Sequence, residues 1–65
     1  MKIQLNGELI DVHSATLNEL ITEMSLQERL IAIEKNLEVI PKSLYAQTPI
    51  EIGDRIEIVH MIGGG

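Results

Sequence analysis

The sequence contains no cysteine, tryptophan or phenylalanine, and Tyr45 is its single aromatic residue. Without cysteine the chain cannot form a disulfide, a thiolate metal site or a cysteine nucleophile. The scarcity of aromatic rings means that the core must be built from Ile, Leu, Val and Met. Hydrophobic residues still make up 45% of the 65 residues, a fraction that is ordinary for a globular protein and too high for a disordered one.

Basic residues are also scarce, because five Lys and Arg stand against ten Asp and Glu and give a net charge of -5. Nucleic acids and anionic membranes attract basic surfaces, so neither is an expected partner. No apolar run approaches the roughly 20 residues that a membrane-spanning helix needs. Patterned sequence starts directly at Met1, with no visible signal peptide, and we therefore expect a cytoplasmic location. The acidity serves either solubility or attraction to a basic protein partner.

A chain of 65 residues holds one small domain, which we assign to residues 1–65. The first twelve residues predict a β-hairpin, because apolar and polar residues alternate on both sides of Asn6-Gly7, the strongest short signal for a hairpin turn. A two-residue turn predicts the cross-strand pairs Leu5 with Glu8, Ile3 with Ile10, and Met1 with Val12.

One helix is predicted after the hairpin. Thr16 and Glu19 have the spacing of a capping box, which satisfies N–H groups at the start of a helix. The apolar residues that follow at helical spacing form one stripe, which we expect to be core: Leu17, Leu20, Ile21 and Met24. A helix this short is unstable alone, so it must lie across a sheet.

Three further strands are predicted, over residues 30–34, 37–40 and 55–62, with a turn at Lys35-Asn36. Residues 42–47 indicate an irregular helical turn with Leu44 and Tyr45 pointing inward. In the last strand, alternation places Ile56, Ile58, His60 and Ile62 on one face and Arg55, Glu57, Val59 and Met61 on the other. These elements predict an α+β domain, a small mixed sheet with one main helix across one face.

The side chains offer little for catalysis. His13 and His60 are the only imidazoles, and they lie far apart with no cysteine as a further ligand, which argues against a metal site. We expect His13 to be solvated and His60 to be half-buried, in a structural or docking role. No nucleophile elbow is present, and so small a core leaves little room for a pocket. The chain is therefore predicted to be no enzyme and to bind no cofactor of its own.

The glycine tail at residues 63–65 is the remaining candidate for chemistry. Gly63, Gly64 and Gly65 lack a β-carbon and can adopt almost any backbone angle. Three extended residues reach roughly 10 Å, so a flexible tail can place the carboxylate of Gly65 in another protein's active site. Adenylation by ATP activates such a carboxylate, and a sulfur nucleophile then converts it into a thiocarboxylate. A frayed terminus or a cloning remnant is the alternative explanation of the three glycines.

Several short segments follow one another with a characteristic order and spacing: Met1-Lys2-Ile3 with Asn6-Gly7, Leu17-Asn18-Glu19-Leu20, Ile31-Ala32-Ile33-Glu34, Pro41 with Tyr45, Gly53-Asp54, Ile56-Glu57-Ile58-Val59-His60, and Gly64-Gly65. Together they resemble the ThiS family, the ubiquitin-like sulfur carriers of thiamine thiazole synthesis, over the whole chain. The resemblance implies a β-grasp fold, with the first strand beside the last. It also implies that Gly65 becomes the thiocarboxylate and that Gly64 is the flexible residue before it. The implied partners are a ThiF-type adenylyltransferase that uses ATP, the thiazole synthase ThiG, and a sulfur donor system fed by a cysteine desulfurase.

Two other functions stay open. A MoaD-type sulfur carrier for molybdopterin synthesis resembles the same fold and the same end. That family usually has a proline in the apolar stretch before Gly-Gly, which His60-Met61-Ile62-Gly63 lacks. A ubiquitin-like interaction module without covalent chemistry would need a binding face rather than a terminus.

The last strand also predicts where a partner docks. If the isoleucines of this strand face the helix, Val59 and Met61 face away from it, and folding does not explain two apolar side chains there. Both residues lie beside the tail, so a protein that takes up the tail must touch the strand that leads into it. We therefore predict that Val59 and Met61 contact the activating enzyme and the thiazole synthase.

Overall fold

The computed structural model describes residues 1–61, and these form five strands, one α-helix and two 3-10 helices. The strands are β1 Lys2–Leu5, β2 Glu8–Asp11, β3 Ile31–Lys35, β4 Glu38–Ile40 and β5 Arg55–His60. Helix α1 spans Leu17–Glu23, and the 3-10 helices span Glu28–Leu30 and Lys42–Gln47. The predictions for Ile62 and for the tail residues Gly63, Gly64 and Gly65 lie outside the described residues.

The five strands form one mixed sheet in the order β2-β1-β5-β3-β4. The first strand, β1, runs parallel to the last strand, β5, and the other neighbours are antiparallel. The mixed sheet with one main helix that the sequence predicts is therefore confirmed. The arrangement also places β5 at the centre of the sheet, between the two hairpins.

The first hairpin has the predicted register. Leu5 pairs with Glu8, and Ile3 pairs with Ile10. Just beyond the strands, the N–H of Val12 donates to the carbonyl of Met1 at 2.9 Å. The turn residues Asn6 and Gly7 have φ angles of 51° and 81°, as a type I′ turn requires.

The second hairpin turns one residue later than predicted. Lys35 is the last residue of β3 and pairs with Glu38, so Asn36 and Leu37 form the turn, with φ angles of 52° and 72°. The sequence does not favour this turn, because a leucine at positive φ is sterically strained and glycine is the usual residue there. Leu37 is consequently no strand residue, and it is 74% exposed.

Helix α1 begins at the predicted cap but ends early. The Thr16 Oγ1 accepts a hydrogen bond from the N–H of Glu19 at 3.3 Å. The Glu19 carboxylate in turn accepts from the N–H of Ala15, at 2.9 Å, one residue before the cap. Met24 is the C-cap and is 39% exposed, so the prediction that it belongs to the core was wrong. Ser25 then takes a positive φ of 59°, and the chain leaves the helix before Met24 can pack inward.

The core lies between the sheet and the helices. Its fully buried members are Ile3, Val12, Leu17, Leu20, Ile31, Ile33, Tyr45 and Ile56. Tyr45 is inward as predicted, and burial raises the pKa of its hydroxyl. Leu44, however, is 43% exposed, against prediction. Successive residues of a 3-10 helix point about 120° apart, so this element turns Tyr45 inward and leaves Leu44 outside.

Candidate functional site

Strand β5 leads directly toward the tail, and its two faces differ. Ile56 and Ile58 are buried in the core. Val59 is 57% exposed and lies on the opposite face of the strand, as the alternation predicted. Met61 is 43% exposed but follows the end of β5, so the prediction that the strand includes it was wrong. The docking role of these two residues stays a prediction.

His60 is exposed, so the prediction that it is half-buried was wrong. On one side it pairs with Ile31 of β3. On the other side β1 has already ended, because β1 pairs with β5 only through Arg55 and Ile56. With one flank of the strand uncovered, the imidazole is left in contact with solvent.

On the outer face of β5, an apolar cross-strand pair lies next to a row of two glutamates. Val59 lies directly opposite the partly buried Ala32 of β3, and the next row pairs Glu57 with Glu34. Arg55 lies beside this row, and its Nε stands 4.0 Å from a Glu57 carboxylate oxygen. Apolar contact bordered by carboxylates is complementary to an apolar surface with basic residues around it.

The start of β5 is fixed by a buried carboxylate that the sequence prediction missed. Asp54 is only 7% exposed. Its carboxylate accepts hydrogen bonds from the N–H of Glu51 at 2.8 Å and from the Asn36 side-chain amide at 3.1 Å. The Lys35 ammonium stands 3.6 Å away, which supplies the opposite charge that a buried carboxylate needs. The pairing of Asn36 with Asp54 joins two turns that are 18 residues apart, so local sequence patterns carry no signal for it.

An open surface depression of about 420 Å³ lies at the connection between β2 and α1, lined by His13, Ser14, Asn18, Glu19, Thr22 and Glu23. The Glu23 carboxylate accepts from the N–H groups of His13 and Ser14, at 3.1 and 3.0 Å, and from the Ser14 hydroxyl. The Ser14 hydroxyl, followed by the backbone N–H of His13, lowers the pKa of Glu23. The Glu23 carboxylate therefore stabilises the connection between β2 and α1. His13 is exposed, as predicted.

Within residues 1–61, no group of three His, Asp or Glu side chains stands close enough to hold a metal ion. No helix of this part of the chain has the length and apolar character needed to cross a membrane.

Comparison with known proteins gives consistent results. A family model described as "ThiS family" matches residues 3–65. The sulfur carrier protein ThiS of Bacillus subtilis is 34% identical, over 97% of this chain and 98% of that protein. The crystal structure of a thiamine biosynthesis protein (ThiS) from Geobacter metallireducens superposes with a TM-score of 0.86 and 28% identity, over all of both chains. This match shows that the fold is the ubiquitin-like β-grasp.

Two longer proteins are also similar to this chain. A thiazole synthase of Paramagnetospirillum magneticum is 46% identical over the full length of the chain, and a thiazole synthase of Magnetococcus marinus is 36% identical. The chain spans only 20% of the length of each of these relatives.

Proposed function

This chain belongs to the ThiS family, and on that basis we propose that it is a sulfur carrier of thiamine biosynthesis whose Gly65 holds the transferred sulfur. The observation that carries the proposal is the match to a ThiS sulfur carrier over nearly the full length of both proteins. The absence of cysteine from the sequence supports it, because the sulfur then rides on the backbone carboxyl group and not on a thiol.

The proposed chemistry takes place in two steps on one carboxylate. A carboxylate oxygen of Gly65 attacks the α-phosphorus of ATP, and pyrophosphate leaves. In the second step, the outer sulfur of a donor persulfide attacks the acyl carbon and AMP leaves. A thiol then attacks the donor's sulfur of the resulting acyl disulfide, so that the donor and the thiol form a disulfide and Gly65 is released as a thiocarboxylate. A ThiF-type adenylyltransferase binds the ATP, and a cysteine desulfurase feeds the sulfur donor. The chain is a co-substrate of these enzymes, and the cytoplasm stays its expected location.

The thiazole synthase ThiG is the proposed recipient of the sulfur. Two thiazole synthases support this choice of recipient, because each contains a segment of about one fifth of its length that is similar to the whole of this chain. Gly63 and Gly64 give the tail the backbone freedom to enter the active site of an activating enzyme and later that of a synthase.

Both enzymes are proposed to dock on Val59 and Met61. The exposure of these two side chains next to residues 62–65 supports this role, since contact there holds the tail in register without any side-chain chemistry. Glu34 and Glu57 beside them favour a partner surface with basic residues at its rim.

Adenylation is tested by ATP–pyrophosphate exchange with purified ThiF-type adenylyltransferase. The protein should support exchange, and a variant that lacks Gly64 and Gly65 should not, although it keeps the same folded domain. If the full chain supports no exchange but still binds the enzyme, the chain is an interaction module without covalent chemistry, and the proposal fails.

A further inference from the structure

Along β5, the backbone N–H and carbonyl groups of successive residues point alternately toward β3 and toward the side of β1. The groups of residues 55, 57, 59 and 61 face β3. Thus Asn36 donates to the carbonyl of Arg55 at 2.7 Å, and Met61 donates to the carbonyl of Leu30 at 2.8 Å. The groups of residues 54, 56, 58 and 60 face the other edge, where β1 runs. There Gln4 donates to the carbonyl of Asp54, and Asn6 donates to the carbonyl of Ile56, both at 2.9 Å.

On that second edge the pairing stops halfway along the strand. The ladder between β1 and β5 joins only Gln4 with Arg55 and Leu5 with Ile56. At Asn6 the chain turns away into the first hairpin. The Asn6 Oδ1 then accepts from the N–H of Ile58 at 2.7 Å, so a side chain takes the place of the next backbone acceptor.

Three backbone groups beyond this point face the uncovered edge: the carbonyl of Ile58 and both the N–H and the carbonyl of His60. Within residues 1–61 none of them takes part in a hydrogen bond. The opposite edge stays covered, because β3 pairs with β5 as far as His60. Although β5 is the central strand of the sheet, its second half therefore has an unpaired edge on the side of β1. Unpaired groups in this arrangement are a template for another extended chain.

We propose that an extended segment of the ThiF-type adenylyltransferase adds to this edge, pairing with Ile58 and His60 where β1 has turned away. The proposal rests on the proposed function, which supplies the partner. The segment accepts from the N–H of His60 and donates to the carbonyls of Ile58 and His60. Strand addition of this kind takes its affinity from main-chain hydrogen bonds and its specificity from neighbouring side chains.

The unpaired edge lies in the half of β5 that is closer in sequence to the tail. A strand laid beside Ile58 and His60 lies about 4.8 Å from β5. The added segment would thereby orient the start of the tail before any glycine is engaged. Its outward side chains would lie next to Val59, so strand addition and the apolar contact described above form one continuous surface.

The test uses His60→Pro, with His60→Ala as its matched control. Proline removes the N–H of residue 60, which bonds nothing within residues 1–61, and proline is tolerated where a strand's N–H faces an uncovered edge. The melting temperature of His60→Pro should stay close to that of the wild type. Its affinity for the ThiF-type adenylyltransferase should fall at least tenfold. His60→Ala keeps the N–H and should bind like the wild type.

Hydrogen–deuterium exchange of the unmodified protein supplies a second measurement that needs no variant. The amide of His60 should exchange rapidly in the free protein and become protected in the complex with the adenylyltransferase. Protection in the free protein, or rapid exchange in the complex, overturns the proposal.

The variants separate this inference from the proposed function. If the wild type binds and supports ATP–pyrophosphate exchange while His60→Pro binds equally well, strand addition is wrong and the sulfur-carrier function stands. If His60→Ala loses as much affinity as His60→Pro, the contact is made by the imidazole, which also overturns strand addition. If the wild type itself neither binds nor supports exchange, the proposed function fails, and this inference fails with it.

Discussion

The side-chain Oδ1 of Asn6 accepts a hydrogen bond from the backbone N–H of Ile58 at 2.7 Å, across 52 positions of the sequence. Asn6 therefore does more than close the first hairpin, since it also ends the pairing of β1 with β5. Asn36 has a similar role at the start of β5, where its Oδ1 accepts from the N–H of Arg55 at 2.9 Å. Two turn asparagines thus fix the central strand.

Replacing Asn6 separates its two roles. Asn6→Gly keeps the positive φ of the turn but leaves the partly buried N–H of Ile58 without its acceptor, which should cost about 1–3 kcal/mol of the free energy of unfolding. Asn6→Asp retains an acceptor and should lose much less. Urea unfolding followed by circular dichroism measures both. Equal stability of Asn6→Gly and the wild type would show that the bond to Ile58 contributes nothing.

Leu37 is strained and exposed, so its replacement by glycine should not destabilise the domain. Glycine relieves the positive φ of 72°, and the relief of about 1–2 kcal/mol offsets the loss of about 0.5–1 kcal/mol through backbone entropy. We expect the melting temperature of Leu37→Gly to equal or exceed that of the wild type. Leu37→Val, which puts a β-branched side chain in the same turn, should lower it. A lower melting temperature for Leu37→Gly would contradict this account of the turn.

Glu23 should contribute to a loss of stability in acid. Its pKa lies below the ordinary value of 4.5, chiefly because the Ser14 hydroxyl donates to its carboxylate. The unfolded chain therefore binds the proton more readily than the folded one. The stabilisation is present above pH 4.5 and is lost as the pH falls through the lower folded value. Thermal unfolding between neutral and acidic pH should show a weaker pH dependence for Glu23→Gln than for the wild type.

The matched control for Glu23 is Glu38→Gln, at an exposed glutamate whose side chain makes no hydrogen bond within residues 1–61. Its pH dependence should follow that of the wild type. If the two variants behave alike, the bonds from Ser14 and His13 do not stabilise the fold.

The docking role of Val59 and Met61 is tested by the double variant Val59→Asp, Met61→Asp. Both side chains are exposed, so the melting temperature should change little. Affinity for the adenylyltransferase should fall at least tenfold, about 1.4 kcal/mol. The control Leu9→Asp, Ile52→Asp adds the same charge at two exposed apolar positions in other parts of the fold. If both double variants lose affinity equally, added negative charge and not lost apolar contact is the cause.

The parts of the fold that the sequence predicted are those set by local chemistry. Asn6-Gly7 fixed the register of the first hairpin, Thr16 fixed the start of the helix, and the alternation around Ile58 separated the faces of β5. Each of these signals lies within a few residues of the structure that it specifies.

The errors arose where tertiary contacts override local preference. The apolar residues Leu37, Val39 and Ile40 predict a strand that begins at Leu37, but Leu37 lies in the turn at positive φ, and the bond from Asn36 to Asp54 joins this turn to another. Leu44 is outside because its segment forms a 3-10 helix. His60 is exposed because β1 ends early, which depends on a contact 52 positions away. The assignments of Gly63, Gly64 and Gly65 stay predictions.

The most direct measurement of the central claim is the mass of the protein isolated from its own cell, intact and after fragmentation. The account predicts a population in which one oxygen is exchanged for sulfur, with the exchange mapping to the carboxyl group of Gly65. Sulfur mapped to any other residue, its complete absence under conditions of active thiamine synthesis, or a natural chain that continues beyond Gly65 would contradict it.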